Sequence, residues 1–235
     1  MKLSIHQPQY WPWPPYLHKI LSADLFIYLD TVQFSKNGVQ NRNQIKTANG
    51  ACWLTLPVKQ KLGQKICETQ IVSPKDLKKH MKTILSSYAK TPGFKLWKEE
   101  LEQIMHECKV GTLSDIAITV TEWMLGKLGA DNKRVRMSSL TGIDGQKGEL
   151  ILNICRHFQA DSYLSGKGGL AYMDVSAFNE IHCNVLVQQC ASIHYQQAFP
   201  KQDFIPDLSA LDLLMNCPNE ARELIMTHCN WRVPA

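Results

Sequence analysis

The sequence lacks several features that would by themselves identify the class of protein. Its eight cysteines include no CxxC pair and no histidine spacing typical of a zinc cage, so we expect no structural metal and thiols that stay reduced and mostly buried. No run of about 18 apolar residues is present, and the segment from Met1 to Pro8 lacks an apolar signal core. We therefore expect a cytoplasmic protein without a membrane span.

Excess charge of one sign is also missing. The 26 Lys and Arg residues against 21 Asp and Glu residues give a formal net charge of +5, which is too small to predict nucleic-acid binding. No GxSxG elbow, P-loop or GxGxxG motif occurs, and no cysteine has a spacing that identifies a paired base, which leaves a cysteine nucleophile open. The small surplus of positive charge permits an anionic ligand.

What is present is an ordinary globular composition with alternating strand and helix signals. With 235 residues, of which 44% are hydrophobic, the chain can bury its own core, so we expect a single domain over residues 1–235. Apolar runs at 3–5 and 25–29, separated by a proline-rich loop and a short helix, predict a βαβ opening. Segments 53–58 and 66–72 are interpreted as strands that could form a hairpin.

Later segments complete the expected fold. Three amphipathic segments follow one another between about 73 and 129, and they predict a helical lobe because they cannot interleave with strands. Strands predicted at 134–138, 161–166 and 183–189 then resume the βα alternation. The sequence thus predicts an α/β fold, a mostly parallel sheet flanked by helices, with a helical lobe inserted in the middle of the chain.

The loop after the first predicted strand carries the strongest functional signal. His6 follows that strand directly, and four prolines between residues 8 and 15 stiffen the segment behind it. Ligands of α/β proteins bind at the carboxyl ends of parallel strands, and histidine exchanges protons near neutral pH. We therefore favour a functional His6 over a structural one. Asp30 ends the second strand, so we expect it at the same edge of the sheet.

Two further polar segments are weaker candidates. Asn41-Arg42-Asn43 could hold a phosphate through the arginine fork, although a surface loop explains the segment equally well. Ser165-Gly166-Lys167-Gly168-Gly169 looks like a phosphate-cradling loop, but a flexible βα turn is the commoner explanation. The basic stretch 75–82 is interpreted as a solvated helix face, with the exception of His80.

An ordered set of short motifs resembles the WbqC-like family and spans nearly the whole chain. Lys79-His80 and Tyr195-Gln196-Gln197 fit the same pattern, whereas Pro14-Pro15 replaces an expected glycine-containing step and stiffens the loop. The motifs that carry the resemblance are His6-Gln7-Pro8-Gln9-Tyr10, the segment from Asp30 to Lys36, Gln40-Asn41-Arg42-Asn43, the segment from Trp53 to Val58, Tyr163-Leu164-Ser165-Gly166, and the segment from Leu208 to Leu214.

The resemblance implies an enzyme of surface-polysaccharide (O-antigen, lipopolysaccharide) biosynthesis in the bacterial cytoplasm. It implies a transferase that moves an acyl or aminoacyl group, such as glycine, onto an amino sugar or a nucleotide-linked sugar. Coenzyme A or an acyl carrier protein would present the acyl group as a thioester, and no other cofactor is indicated. The residues implied as catalytic are His6, Asp30 and His80, and those implied as substrate-binding are Gln7, Gln33, Lys36, Asn41, Arg42, Asn43, Ser165, Tyr172 and Asp212.

Two other functions remain open at this point. The His-bearing loop in a βαβ opening is faintly similar to the HxGH loop of nucleotidylyltransferases, although the second histidine is missing. A non-catalytic protein that binds sugar nucleotides would keep the same pocket without turnover. Dependence on a nucleoside triphosphate and magnesium would identify the first alternative, and saturable binding without turnover the second.

Overall fold

The computed structural model describes residues 1–36, 38–108 and 111–234. Short 3-10 turns lie at Ile66–Glu68, Met137–Ser139 and Lys167–Ala171. The strands are β1 (Lys2–His6), β2 (Leu25–Tyr28), β3 (Arg42–Thr47), β4 (Gly50–Thr55), β5 (Val58–Lys59), β6 (Gln70–Ile71), β7 (Lys133–Arg136), β8 (Ser162–Ser165), β9 (Asn184–Cys190) and β10 (Cys229–Arg232). The helices are α1 (Pro14–Leu21), α2 (Lys75–Tyr88), α3 (Pro92–Glu107), α4 (Leu113–Lys127), α5 (Lys147–His157), α6 (Val175–Glu180), α7 (Ala210–Asn216) and α8 (Ala221–Thr227).

The main sheet has six strands in the order β10-β9-β8-β1-β2-β7. Every neighbouring pair in it is parallel except β10 with β9, which is antiparallel. Leu3 lies opposite Leu25 and His6 lies opposite Tyr28, so the predicted pairing of the first two strands is confirmed. The mostly parallel α/β fold expected from the sequence is confirmed as well.

Both faces of this sheet are covered, as is usual for parallel strands. Leu3, Ile5 and Ile27 point into one hydrophobic cluster, which α5 and α6 complete. Phe26 and Tyr28 point into the other cluster, which contains α1 and the helices α2, α3 and α4. Because the chain leaves β1 on one face and enters β8 from the other, its winding direction reverses between these two strands.

The polar segment Asn41-Arg42-Asn43, for which the sequence left a phosphate site and a surface loop equally open, lies mostly in a strand. Arg42 begins β3, which pairs with β4 in an antiparallel hairpin that turns at Ala48 and Asn49. The predicted hairpin of 53–58 with 66–72 is therefore wrong for the most part, since only the short pair β5 and β6 joins these segments. A turn of only two residues joins β3 to β4, so β4 pairs with the strand that directly precedes it in the chain.

Two cysteines depart from the expectation that all thiols stay reduced. Cys190 and Cys229 form a disulfide, because the antiparallel pairing of β9 and β10 sets them directly opposite each other. Cysteine spacing along the sequence contains no information on such a distant pairing. Within the described residues, no helix is both long and apolar enough to cross a membrane.

Candidate functional site

Two adjoining cavities open where the winding of the sheet reverses, at the carboxyl ends of β1 and β8. Their volumes are about 510 and 300 Å³, within the range usual for ligand pockets. His6, Lys19, Gly166 and Gly168 line both of them. Ligands of open α/β sheets bind at this kind of reversal, so the topology and the cavities indicate the same place.

His6 stands at the boundary of the two cavities as the last residue of β1. Its Nδ1 atom lies 3.0 Å from the carbonyl oxygen of Gln7, and its ring meets that of Tyr16 edge to face at 5.1 Å between centroids. A carbonyl can only accept, so Nδ1 carries the proton and Nε2 is left as an acceptor. Burial, assisted by the charge of Lys19, lowers the pKa of His6 to about 3, which keeps the ring neutral.

Lys19 is the second shared residue, and the sequence did not single it out. It extends from α1, is 3% exposed, and donates from Nζ to the carbonyl oxygen of Ile5 at 3.0 Å. Among the described residues no carboxylate forms an ion pair with it. Burial consequently lowers the pKa of Lys19 to about 7. A lysine with such a perturbed pKa in a cleft is a typical mark of a functional site.

The segment Ser165-Gly166-Lys167-Gly168-Gly169 lines the cavities from the other side, after β8. Ser165 is fully buried and donates to the carbonyl oxygen of Gly166 at 3.0 Å. A Cβ atom on Gly169 would overlap the Ser165 hydroxyl, so the loop requires glycine there. Lys167 lies at the larger cavity and adds a positive charge, as expected for a segment that meets an anion.

Asp30 lies at the expected sheet edge but does not orient His6. Its carboxylate is fully buried and accepts from the Ser114 hydroxyl at 3.1 Å, the Ser138 hydroxyl at 2.8 Å and the Ser138 amide at 2.9 Å. These donors come from α4 and from the turn after β7. Asp30 therefore ties together elements behind the cavities, and the pairing inferred for it with His6 is corrected.

His80 points from α2 into the molecule and not to solvent. Its Nδ1 atom lies 2.9 Å from the hydroxyl of Tyr10, and burial lowers the pKa of His80 to about 4. Tyr10 belongs to the proline-rich loop after β1. The histidine thus supports that loop from behind, at a distance from the two cavities, neither of which it lines.

Two of the residues predicted to bind substrate, Asn43 and Gln7, help to hold the same loop. Asn43 donates to the carbonyl oxygen of Trp11 at 2.7 Å, whereas Asn41 donates to the carbonyl oxygen of Leu56, outside that loop, at 2.8 Å. Gln7, at the smaller cavity, accepts a hydrogen bond from Gln40. These hydrogen bonds fix the position of the loop residues that follow His6.

The remaining candidates divide between the cavities and other parts of the molecule. Arg42 lies over the ring of Trp53 at 4.5 Å from its centroid, and Lys36 and Gln33 are exposed outside both cavities. Asp212 is buried in α7. Its carboxylate accepts from the hydroxyls of two tyrosines and the amide of an asparagine, Tyr88, Tyr195 and Asn216. Ser165 and Tyr172 both line the smaller cavity.

No signal in the sequence singles out Lys19. The helix that follows the first strand, α1, has only eight residues and is buried on most of its surface. A lysine in such a helix has little access to solvent and must reach the strand end or a cavity. Hydrophobic periodicity alone hides this, since Leu17 and Ile20 flank the lysine and define an ordinary apolar face.

Comparison with known proteins identifies a family. The model of the WbqC-like protein family matches residues 7–224. The chain is also similar to the "Uncharacterized protein Rv1507c" of Mycobacterium tuberculosis (strain ATCC 25618 / H37Rv), with 31% identity over 227 residues, 95% of this chain and 97% of that protein. No solved structure matches the chain. The match over most of its length shows that the chain belongs to the WbqC-like protein family.

Proposed function

We propose that this protein is a cytoplasmic transferase of surface-polysaccharide biosynthesis, which moves an acyl or aminoacyl group such as glycine onto an amino sugar or a nucleotide-linked sugar. One observation carries the proposal. Lys19 holds an amine with a pKa of about 7 inside a cavity, beside the neutral ring of His6. N-acyl transfer to an amine needs a proton acceptor of this strength at neutral pH.

Lys19 is the better proton acceptor of the two residues. A base works best when its pKa lies near the working pH, which holds for the Lys19 amine at about 7. His6, with a pKa lowered to about 3, accepts protons too weakly for that task. Its unprotonated Nε2 is instead suited to accept a hydrogen bond from the attacking amine and so to orient its lone pair.

The surroundings of these two residues support the proposed donor and sugar. Lys167 supplies positive charge for the phosphates of a nucleotide-linked sugar. Cys190 lines the larger cavity, and its sulfur is paired with that of Cys229. The proposed donor is a thioester of coenzyme A or of an acyl carrier protein, from which the acyl group passes directly to the amine.

A transfer assay on the purified protein tests the proposal. Nucleotide-linked amino sugars would be combined with glycyl- and acetyl-coenzyme A, and with the same groups on a carrier protein. Release of free thiol together with the matching mass increase of the sugar is expected. Lys19→Met should lose both signals, whereas Lys82→Met, which changes an exposed lysine of α2, should keep them.

Three results would contradict the proposal. Saturable binding of the sugar nucleotide without any thiol release would favour the binding protein. Activity that requires a nucleoside triphosphate and magnesium would favour the nucleotidylyltransferase. Transfer that survives in Lys19→Met would remove the observation on which the mechanism rests.

A further inference from the structure

We propose that the two cavities are separate subsites which are filled at the same time, the larger by the phosphorylated amino sugar and the smaller by the uncharged acyl end of the thioester donor. The inference rests on the transferase function proposed above and assigns a ligand class to each side of that site. It follows from three properties of the cavities: what they share, what distinguishes their linings, and where the Lys19 amine lies.

The shared part of the two cavities is small and contains the reactive groups. Only His6, Lys19, Gly166 and Gly168 line both, and the two glycines contribute no side chain. A Cβ atom on Gly166 would lie 3.9 Å from Nζ of Lys19, so the amine is next to this shared glycine at the junction. Two ligands that enter from opposite sides would therefore meet beside the amine and the imidazole.

The smaller cavity suits an uncharged group. Apart from Lys19 and His6, its lining carries no ionisable group of the carboxylate, lysine or arginine type in the described residues, and it includes Ile5, Leu29 and Ile151. Its volume of about 300 Å³ accommodates a small acyl group with part of a thioester arm. A phosphate would lose its hydration there without gaining an additional cation.

The larger cavity suits a phosphorylated sugar. Its lining includes Lys167, which can meet a phosphate, and Asp207, which can accept from sugar hydroxyls. Gln188 also lines this cavity and is held by a hydrogen bond from its Nε2 to the carbonyl oxygen of Pro15 at 2.8 Å. Trp13 is 38% exposed and offers an aromatic face to a ring.

The reaction balances across the junction without a covalent enzyme intermediate. The amine nitrogen of the sugar forms a bond to the thioester carbonyl carbon, and the carbon–sulfur bond breaks. Lys19 takes one proton from the nitrogen and returns it to the departing thiolate. Amine and thioester become amide and thiol, and no oxidant or further reactant is needed. Both substrates must be present together, so the kinetics are those of a ternary complex.

Two substitutions and a matched control separate the subsites. Trp13→Ala changes only the larger cavity, and Tyr172→Ala, at a residue that is 51% exposed, changes only the smaller one. Trp53→Ala removes a comparably exposed tryptophan outside both cavities. Loss of an aromatic contact of about 1.4 kcal/mol corresponds to about tenfold in affinity.

Initial rates are measured with both substrates varied. Trp13→Ala should raise KM about tenfold for the nucleotide-linked amino sugar alone, Tyr172→Ala should do so for the acyl donor alone, and Trp53→Ala should change neither. The double-reciprocal lines should intersect. Parallel lines, or both variants shifting KM for the same substrate, would overturn the two-subsite arrangement while leaving a transferase in place.

An equilibrium experiment distinguishes this inference from the proposed function. The nucleotide-linked amino sugar is titrated by calorimetry with and without saturating coenzyme A thioester. Binding of both without competition supports two subsites even if no transfer occurs, and that result would remove only the transferase. Mutual displacement of the two ligands would overturn the subsites whether or not transfer is observed.

Discussion

The side-chain nitrogen of Lys19 lies 3.0 Å from the carbonyl oxygen of Ile5 and donates a hydrogen bond to it. Because the neutral amine and the ammonium both have hydrogens to donate, this bond persists in either protonation state. It joins α1 to the end of β1 and fixes the nitrogen at the junction of the cavities. A proton can therefore arrive and leave without displacing the side chain.

The first prediction concerns the pH dependence of turnover. Burial lowers the pKa of Lys19 to about 7, and the neutral amine is the proposed base. We expect kcat/KM to rise tenfold per pH unit below pH 7 and to level above it. Lys19→Met should lower kcat by about 10²–10⁴-fold, the usual loss for a general base. A profile that is flat between pH 5 and 8 would contradict the assignment.

The second prediction concerns stability. The pKa of Lys19 is about 7 when folded and about 10.5 in an unfolded chain, so the unfolded state binds more protons between these values. The free energy of unfolding should therefore rise with pH from 7 to about 10. At about 1.4 kcal/mol per pKa unit the change has an upper limit of about 5 kcal/mol.

Lys19→Met should abolish most of this rise and should melt at a higher temperature than the wild type at pH 6. Thermal melting across pH 6 to 10 provides the measurement, with Lys82→Met as the exposed control. Equal melting temperatures of Lys19→Met and wild type at pH 6 would mean that the amine is not desolvated in the folded protein.

The third prediction concerns His6 and Arg42, two residues that the sequence placed in the site. His6→Ala should lower kcat, though less than Lys19→Met does, with a small change in melting temperature, because its hydrogen bond is to the adjacent Gln7. Arg42→Ala should weaken binding of the nucleotide-linked sugar less than Lys167→Ala does, since Arg42 lies over Trp53 outside both cavities. Steady-state kinetics and melting curves test both. A His6→Ala protein that melts far below the wild type would restore a purely structural histidine.

The fourth prediction concerns Asp30. An amide in place of its carboxylate would turn a hydrogen-bond donor toward Ser138, which already donates from its amide and its hydroxyl. Asp30→Asn should cost about 2–3 kcal/mol of unfolding free energy, and Asp131→Asn, at an exposed position, less than about 0.5. Denaturant titration measures both. Loss of kcat without loss of stability would instead support a direct role in orienting His6.

The sequence predicted those parts of the molecule that depend on neighbouring residues. The pairing of 3–5 with 25–29 followed from two apolar runs and a connection too long for a hairpin. The expectation that His6 follows the first strand at the sheet edge where ligands bind came from the same reasoning; in the structure His6 is the last residue of β1 and lines a cavity. Local signals sufficed because β1, α1 and β2 are consecutive.

What could not be predicted depends on residues that are far apart in the chain. The partners of Asp30 are 84 and 108 residues away, so its carboxylate was taken for an active-site group. Burial of Lys19 results from packing that includes Gly166 and is invisible in the eight residues of α1. The polar segment 41–43 had no signal that its amides would find the carbonyl oxygens of Trp11 and Leu56.

The position of β1 in the middle of the sheet has a consequence for synthesis of the chain. One edge of β1 pairs early with β2, but the other pairs with β8, whose Leu164 carbonyl accepts from the Ser4 hydroxyl 160 residues earlier. At about 5–20 residues per second, that edge stays open for roughly ten seconds or longer on the ribosome. An unpaired, apolar strand edge can act as a template for aggregation, so the nascent chain needs protection during this interval. Neither cavity exists until β8 has paired with β1.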